Sequence, residues 1–272
     1  MSYSSLALSI KDSIAHLEMA RPEKANAMGE AFWRELPQAM AALDADSRVR
    51  AIVLSGQGRH FTAGIDLMMI QGFAPDPKAD PGRVREKLHR KIKEMQQSIT
   101  SIEETRKPVI AAIHGGCLGA GVDLVTACDM RIAARDARFT IQEINIGMVA
   151  DVGTLQRIVH LLPLGIVKEL AYSGRAMEAE EAFRLGFVNK IADDREDAIA
   201  SAFALAKEIA KKSPLAIAGV KSVLHHARDH SIADGLDYVA AWNAGMLFST
   251  DLMKGAAAAL SKTEPDYDDL ME

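Results

Sequence analysis

Short apolar runs that end on glycine turns alternate with helix-length periodicities, and this alternation limits the possible fold more than any other feature of the chain. Residues 51–55 (Ala-Ile-Val-Leu-Ser) run into Gly56-Gln57-Gly58, and residues 109–113 (Val-Ile-Ala-Ala-Ile) run into Gly115-Gly116. Residues 130–134 and 187–191 have the same character. Between such runs Phe32, Leu36 and Met40 recur at i, i+4 and i+8, the spacing of one helix face. Strands that alternate with helices predict an α/β architecture with much parallel pairing. No fixed-period sequence repeat is present.

From about Asp194 the pattern becomes all-helical. Residues 198–212 read as one helix that stops at Ser213-Pro214. Residues 215–228, 231–248 and 251–260 read as three more. The chain therefore divides into an α/β region, 1–195, and a helical region, 196–272, for packing and oligomerisation. Tyr238, Trp242 and Met246 form an apolar stripe whose default reading is core packing, with a subunit interface as the alternative. Residues 71–83 hold Pro75, Pro77, Pro81, Gly72 and Gly82, which predicts a mobile surface loop, and favours a lid beside a ligand groove over a plain linker.

A chain of 272 residues can bury a full core. Its net charge of −5 gives no basic footprint for nucleic acid. No apolar run approaches the ~18 residues that span a membrane. The first residues lack a basic, then apolar, secretory pattern, and the last three are not a peroxisomal address. Only Cys117 and Cys128 are present, so no disulfide framework is expected and a reducing cytoplasm is. Cys117 has no obvious base beside it and reads as a small packed thiol.

The residues that suggest chemistry are acids behind glycine turns. Gly119-Ala120-Gly121 opens a predicted helix that carries Asp123, and Glu143 and Asp151 flank the Gly147 turn. Amides at a helix start are unpaired and lie at the positive end of its dipole. Gly64, in Phe61-Thr62-Ala63-Gly64-Ile65-Asp66, permits a turn that aims the next amide into a groove. Two such N–H groups on one carbonyl oxygen would form an oxyanion hole, each donor worth ~3 kcal/mol in the transition state. Carboxylates gathered in an apolar pocket repel one another, which raises at least one pKa towards neutrality and suits it to proton transfer at carbon.

Each acid also has a plainer role open to it. Asp123 could serve a helix dipole, Asp151 could cap the helix near Thr154, and Glu143 could pair with Arg157. Asp66 reads as a local hydrogen-bond anchor, and His114 as a residue that orders its turn. His225, His226 and His230 lack the pattern of a zinc-protease motif and read as helix-surface residues.

The chain resembles the crotonase (enoyl-CoA hydratase/isomerase) superfamily from about residue 5 to 260. Arg21-Pro22-Glu23-Lys24-Ala25-Asn26-Ala27-Met28 is similar to that family's N-terminal signature, and Ile65 and Ala120 occupy its two oxyanion-amide positions. Glycine is more usual where Ala120 stands; alanine keeps the N–H and adds a methyl beside the thioester. Within the superfamily the chain most closely resembles the Δ3,5-Δ2,4-dienoyl-CoA isomerases, through residues 114–129 and 150–157. Hydratases there carry Glu at the Asp123 position and a small residue at the Asp151 position. The dienoyl-CoA isomerases carry Asp, Glu and Asp, as this chain does.

The resemblance implies a spiral of ββα turns with a C-terminal helical trimerisation region, and homo-oligomers, either trimers or dimers of trimers. It implies an acyl-CoA thioester substrate in fatty-acid β-oxidation, with no metal and no cofactor beyond the CoA of the substrate. Ala63, Gly64, Asp66 and Gly119 become expected substrate-binding positions. Asp123, Glu143 and Asp151 become expected catalytic residues that move a proton from C2 to C6 of a 3,5-dienoyl thioester. By analogy with hydratases Glu143 sits nearer C2 and Asp151 nearer C6, with the reverse open, while Asp123 tunes the other two or places substrate. Arg59, Lys87 and Arg90 are loose candidates for the CoA phosphates. The alternative enzyme is an enoyl-CoA hydratase that uses Asp123 and Glu143; a CoA-thioester or RNA-binding protein without catalysis is the alternative from another class.

Overall fold

The computed structural model describes residues 3–74 and 78–271. Its strands are β1 (Leu6–Lys11), β2 (Ile14–Met19), β3 (Ala51–Gly56), β4 (Val109–Ile113), β5 (Gly116–Leu118), β6 (Met130–Ala134), β7 (Arg138–Thr140), β8 (Met177–Glu178) and β9 (Lys190–Ala192). One sheet has the order β1-β2-β3-β4-β6-β9, and a small second sheet has the order β5-β7-β8. Only the β1–β2 pair is antiparallel in the large sheet.

The central strands β3 and β4 are apolar but for Ser55 because both faces of the sheet are covered there. Ile52 and Leu54 join a large core on one face, while Ala51 and Val53 join a smaller core on the other. Val109, Ala111 and Ile113 alternate with Ile110 and Ala112 in the same way, as the two-residue period of a strand requires.

The helices of the first region are α1 (Glu30–Ala45), α2 (Leu67–Gln71), α3 (Pro81–Glu104), α4 (Ala120–Ala127), α5 (Thr154–Arg157), α6 (Leu164–Ser173) and α7 (Ala179–Arg184). Phe32, Leu36 and Met40 all point into the large core from α1. The smaller core lies under α8 (Arg195–Ala210), whose Ala198, Ala202 and Ala206 recur at every fourth residue and are almost fully buried. Then α9 (Pro214–Asp229), α10 (Ile232–Met246) and α11 (Thr250–Ser261) complete the helical region. Pro214 opens α9 rather than merely ending α8, since Ser213 caps that helix by accepting from Ala216 N–H. Lys221 of α9 reaches into the first region, where its Nζ donates to Asp129 Oδ2 at 2.8 Å.

Three sequence expectations need correction. Only the ends of 71–83 are helical: α2 ends at Gln71, and Pro81 and Arg83 belong to α3, while the described residues 72–74 and 78–80 between them are turn or irregular chain. Pro81 sits at a first helical position behind the Asp80 cap, where a missing N–H costs nothing. Pro75 and Pro77 lie outside the described residues. The predicted strand at 187–191 pairs only as 190–192, because Phe187 and Val188 spend their side chains on the large core in the preceding turn. The stripe on α10 is not core: Tyr238 and Trp242 are half-buried, Met246 is exposed, and α10 holds no fully buried residue. No described helix is long and apolar enough to cross a membrane.

Candidate active site

The segment after β3 meets β5 at Thr62. Its N–H donates to the Gly116 carbonyl and its own carbonyl accepts from Leu118 N–H, so segment 61–66 is stitched to β5. Asn26 fixes the same segment from the other side. Its side-chain nitrogen donates to the carbonyls of Gln57, His60 and Phe61, and Thr62 Oγ1 donates to the Asn26 carbonyl at 2.8 Å. The N-terminal signature thus serves as a bracket for the loop. Asn26 adopts φ of 54°, a left-handed conformation that asparagine tolerates well.

Gly64 brings the two amides of interest together. It has φ of +85°, and a Cβ there would stand 2.6 Å from the Leu118 carbonyl and 3.3 Å from Ala120 N. Met28 N–H donates to the Gly64 carbonyl and Asp66 N–H donates to the Met28 carbonyl, which leaves the intervening Ile65 N–H out of the bridge. Ala120 is the first residue of α4, so its N–H has no place in the helical ladder. Asp66 is an anchor as expected: it caps α2 by accepting from Met68 N–H at 3.1 Å.

Both residues line a cavity of about 560 Å³, together with Ala63, Asp66, Gly119, Glu143 and Asp151. Gly64 does not itself line it but sets the turn. The walls are apolar, with Trp33, Ile70, Phe73, Leu88, Ile92 and Met95 prominent. The volume suits a medium-sized organic ligand. Leu67 and Met68 stand exposed at α2, and Ile144, Ile146 and Val149 stand exposed beside Glu143.

The three acids converge, but not as equals. Glu143 begins a short 3₁₀ turn, 143–146, and its Oε2 is buried without a protein partner. Burial raises its carboxyl to about 7, helped by the neighbouring charges of Asp123 and Asp151. Asp151 is half-buried, and burial raises its carboxyl too. Asp123 is absent from the cavity wall and fully sealed. Its Oδ1 accepts from Thr154 N–H at 2.5 Å, its Oδ2 has no protein partner, and burial raises its carboxyl to about 6.

The plainer roles for these acids largely fail. The N-cap of α5 is Gly153, and the side chain that accepts from the helix's first N–H is that of Asp123, not Asp151. Arg157 pairs with Glu103 at 2.7 Å, not with Glu143. Burial alone would raise Glu103, but hydrogen bonds and charges from Arg157 and Arg228 outweigh it and hold the carboxyl low. Asp123 does lie in the first turn of α4, and it also fixes the start of α5.

The buried thiols and the histidines hold structure. Cys117 is fully buried with its thiol pushed well up by desolvation, and the Cys128 thiol is pushed up to about 12. His114 ties its turn to the Gly58 carbonyl at 3.0 Å. The rings of His226 and His230 stack at 3.8 Å, and Tyr238 stacks on the other His226 face. Arg90 bonds to Glu86, and Lys87 is exposed. Among the described residues, no group of three or more His, Cys, Asp or Glu could hold a metal ion.

Asn26, Thr62, Gln96 and Arg157 were missed by the sequence reading as residues that shape the site. Asn26 carried a signal, since it lies inside the N-terminal signature. Gln96 acts through a contact far apart in sequence and had none, while Arg157 closes the 150–157 segment but its partner Glu103 stands 54 positions away.

The Gly64 turn and the start of α4 bring Ile65 and Ala120 to one apolar cavity that Glu143 and Asp151 also line, on a fold of the crotonase kind. A profile of the enoyl-CoA hydratase/isomerase family matches residues 9–270, and the chain belongs to that family. It is 45% identical over 258 residues to the mitochondrial Delta(3,5)-Delta(2,4)-dienoyl-CoA isomerase of Mus musculus, covering 94% of this chain and 79% of the relative. It is 44% identical over 257 residues to the peroxisomal Delta(3,5)-Delta(2,4)-dienoyl-CoA isomerase of Arabidopsis thaliana, covering 94% and 92%. Among solved structures, a putative enoyl-CoA hydratase from Streptomyces coelicolor A3(2) superposes with a TM-score of 0.89 at 29% identity, covering 98% of this chain and 95% of that one.

Proposed function

We propose that this chain is a Δ3,5-Δ2,4-dienoyl-CoA isomerase acting in fatty-acid β-oxidation. The observation that carries the reading is that Glu143 and Asp151 line the same apolar cavity with both carboxyls raised. The names of the relatives support it. In this reading the amides of Ile65 and Ala120 hold the thioester oxygen. Glu143 removes the C2 proton, charge spreads along the dienolate to the oxygen, and Asp151 delivers a proton to C6. The double bonds shift from 3,5 to 2,4, and proton exchange with water resets the pair. One group must be ionised while the other is protonated, which mutual repulsion of the acids favours near neutral pH.

The sealed position of Asp123 counts against the hydratase alternative. Hydration needs two carboxylates on one water, and Asp123 presents no surface to the cavity while its Oδ1 is engaged by Thr154. Asp123 instead raises Glu143 through its charge and holds the start of α5. The exposed apolar residues of the helical region, among them Leu224 of α9, Leu260 of α11 and Phe248 between α10 and α11, fit a homo-oligomer, and a trimer is the proposed state. Two buried free thiols fit a reducing compartment such as the cytoplasm.

Ultraviolet absorbance with 3,5-octadienoyl-CoA tests the assignment. The expected result is growth of conjugated 2,4-dienoyl absorbance. Turnover of 2-enoyl-CoA alone would select the hydratase. A second expectation concerns the oxyanion turn: Gly64→Ala forces alanine to φ of +85° and drives its Cβ against the Leu118 carbonyl. Loss of about 10²-fold in kcat is expected from the displaced donors, with about 1–3 kcal/mol of stability lost in urea titration. Wild-type kcat would show that the turn does not set the hole.

A further inference from the structure

The short segment that carries Asp151 is gripped through its backbone at successive points. The Asp151 carbonyl accepts from Gln96 Nε2 at 2.7 Å, and the Val152 carbonyl accepts from Arg157 Nη1 at 3.4 Å. Thr154 N–H donates to Asp123 Oδ1. Between these points Gly153 has φ of +129°, and Arg157 lies against it so closely that a Cβ there would collide with Nη1. The guanidinium is therefore packed onto the bare backbone that leads from Asp151 into α5.

That guanidinium is itself immobilised. Nη2 donates to Thr100 Oγ1 at 3.0 Å and to Glu103 Oε2 at 2.7 Å. The other Glu103 oxygen accepts from Arg228 Nη1 at 2.6 Å, which ties the arrangement to α9. Gln96, Thr100 and Glu103 stand at i, i+4 and i+7 on α3, so one helix face supplies all three contacts. Neither Arg157 nor Glu103 lines the cavity that holds Glu143 and Asp151, so neither acts on the acyl group directly. Glu143 stands on a separate turn and bonds to none of these groups.

We infer that Arg157, fixed by the Gln96–Thr100–Glu103 face of α3, is a positioning residue for Asp151 and sets the proton transfer at C6 without setting the one at C2. This rests on the isomerase reading above. A planar fork reaches the Val152 carbonyl, Thr100 and Glu103 together, and a lysine ammonium has neither the planarity nor the span to replace it. With the fork gone, the segment from 151 to 154 loses one of its fixed points while the turn that carries Glu143 keeps all of its own.

The test runs 3,5-octadienoyl-CoA in D2O with wild type, Arg157→Lys and Gln96→Ala, and reads two rates: formation of the 2,4-dienoyl product, and deuterium uptake at C2 of the remaining substrate by mass spectrometry. Arg157→Lys is expected to slow isomerisation about 30- to 100-fold, as ångström-scale misplacement does, with KM within about twofold and C2 exchange within about threefold of wild type. Gln96→Ala, on the half-buried surface of α3, is expected to show the same split at about 5- to 10-fold and decides the matter if Arg157→Lys does not fold. Equal loss of exchange and isomerisation, or wild-type isomerisation in both variants, overturns the inference. A wild-type chain that isomerises nothing overturns the isomerase reading itself, and this inference with it, before any variant is compared.

Discussion

Asp151→Asn is expected to lower isomerase kcat by about 10²–10⁴-fold while the protein remains folded. The substitution is nearly isosteric and removes only the ability to hold and deliver a proton. The backbone grip on the segment is untouched, since Gln96 bonds to the Asp151 carbonyl and not to its side chain. Circular dichroism should match wild type, and the urea midpoint should be no lower, since burial raises the Asp151 carboxyl and asparagine escapes that penalty. The informative readout is again isotopic. With Glu143 intact, C2 hydrogens of bound substrate should still exchange with D2O, so that the dienolate forms and returns without advancing. Isomerisation near the wild-type rate would remove Asp151 from the mechanism. Loss of C2 exchange with isomerisation would reverse the assignment of the two acids.

Glu143→Gln is expected to abolish both C2 exchange and isomerisation, and to make the protein more stable at alkaline pH. The Glu143 carboxyl is raised from 4.5 to about 7 in the folded chain. The unfolded chain therefore ionises first as pH rises, and wild type loses stability progressively between about 4.5 and 7. Above that window the full penalty applies, about 3 kcal/mol. Glutamine never ionises and escapes it. Thermal melts of the pair should coincide near pH 4 and separate by several degrees by pH 8, the variant melting higher. A constant gap across that range, or a less stable variant at pH 8, would show that burial does not raise the Glu143 carboxyl. The same sign applies to Asp123, raised to about 6, so Asp123→Asn should narrow the pH dependence further.

Much of the architecture could be read from residue order because the signals are local. The runs at 51–55, 109–113 and 130–134 form β3, β4 and β6 almost to the residue, since strands buried on both faces are mostly apolar, with Ser55 and the buried Arg131 as exceptions. The opening hairpin escaped notice because its two-residue turn is built from Asp12 and Ser13 at φ of 52° and 62°, without the glycine that usually marks such a turn. Proline content suggested a loop through Pro81, yet proline one residue behind an aspartate cap is also how a helix starts.

Within the site, the sequence showed that Asp123, Glu143 and Asp151 belong together, but not that Asp123 faces away from the cavity. That distinction depends on which side of α4 meets the start of α5. The pairing of Arg157 with Glu103, 54 positions apart, lay equally out of reach.

The smaller core under α8 shares no residue with the walls of the catalytic cavity. Ala198, Ala202 and Ala206 let that helix settle close to the sheet, on the face opposite the chemistry. Natural variation there is free to adjust how long the enzyme survives heat without altering which thioesters it accepts, so durability and selectivity can evolve as separate traits in this chain.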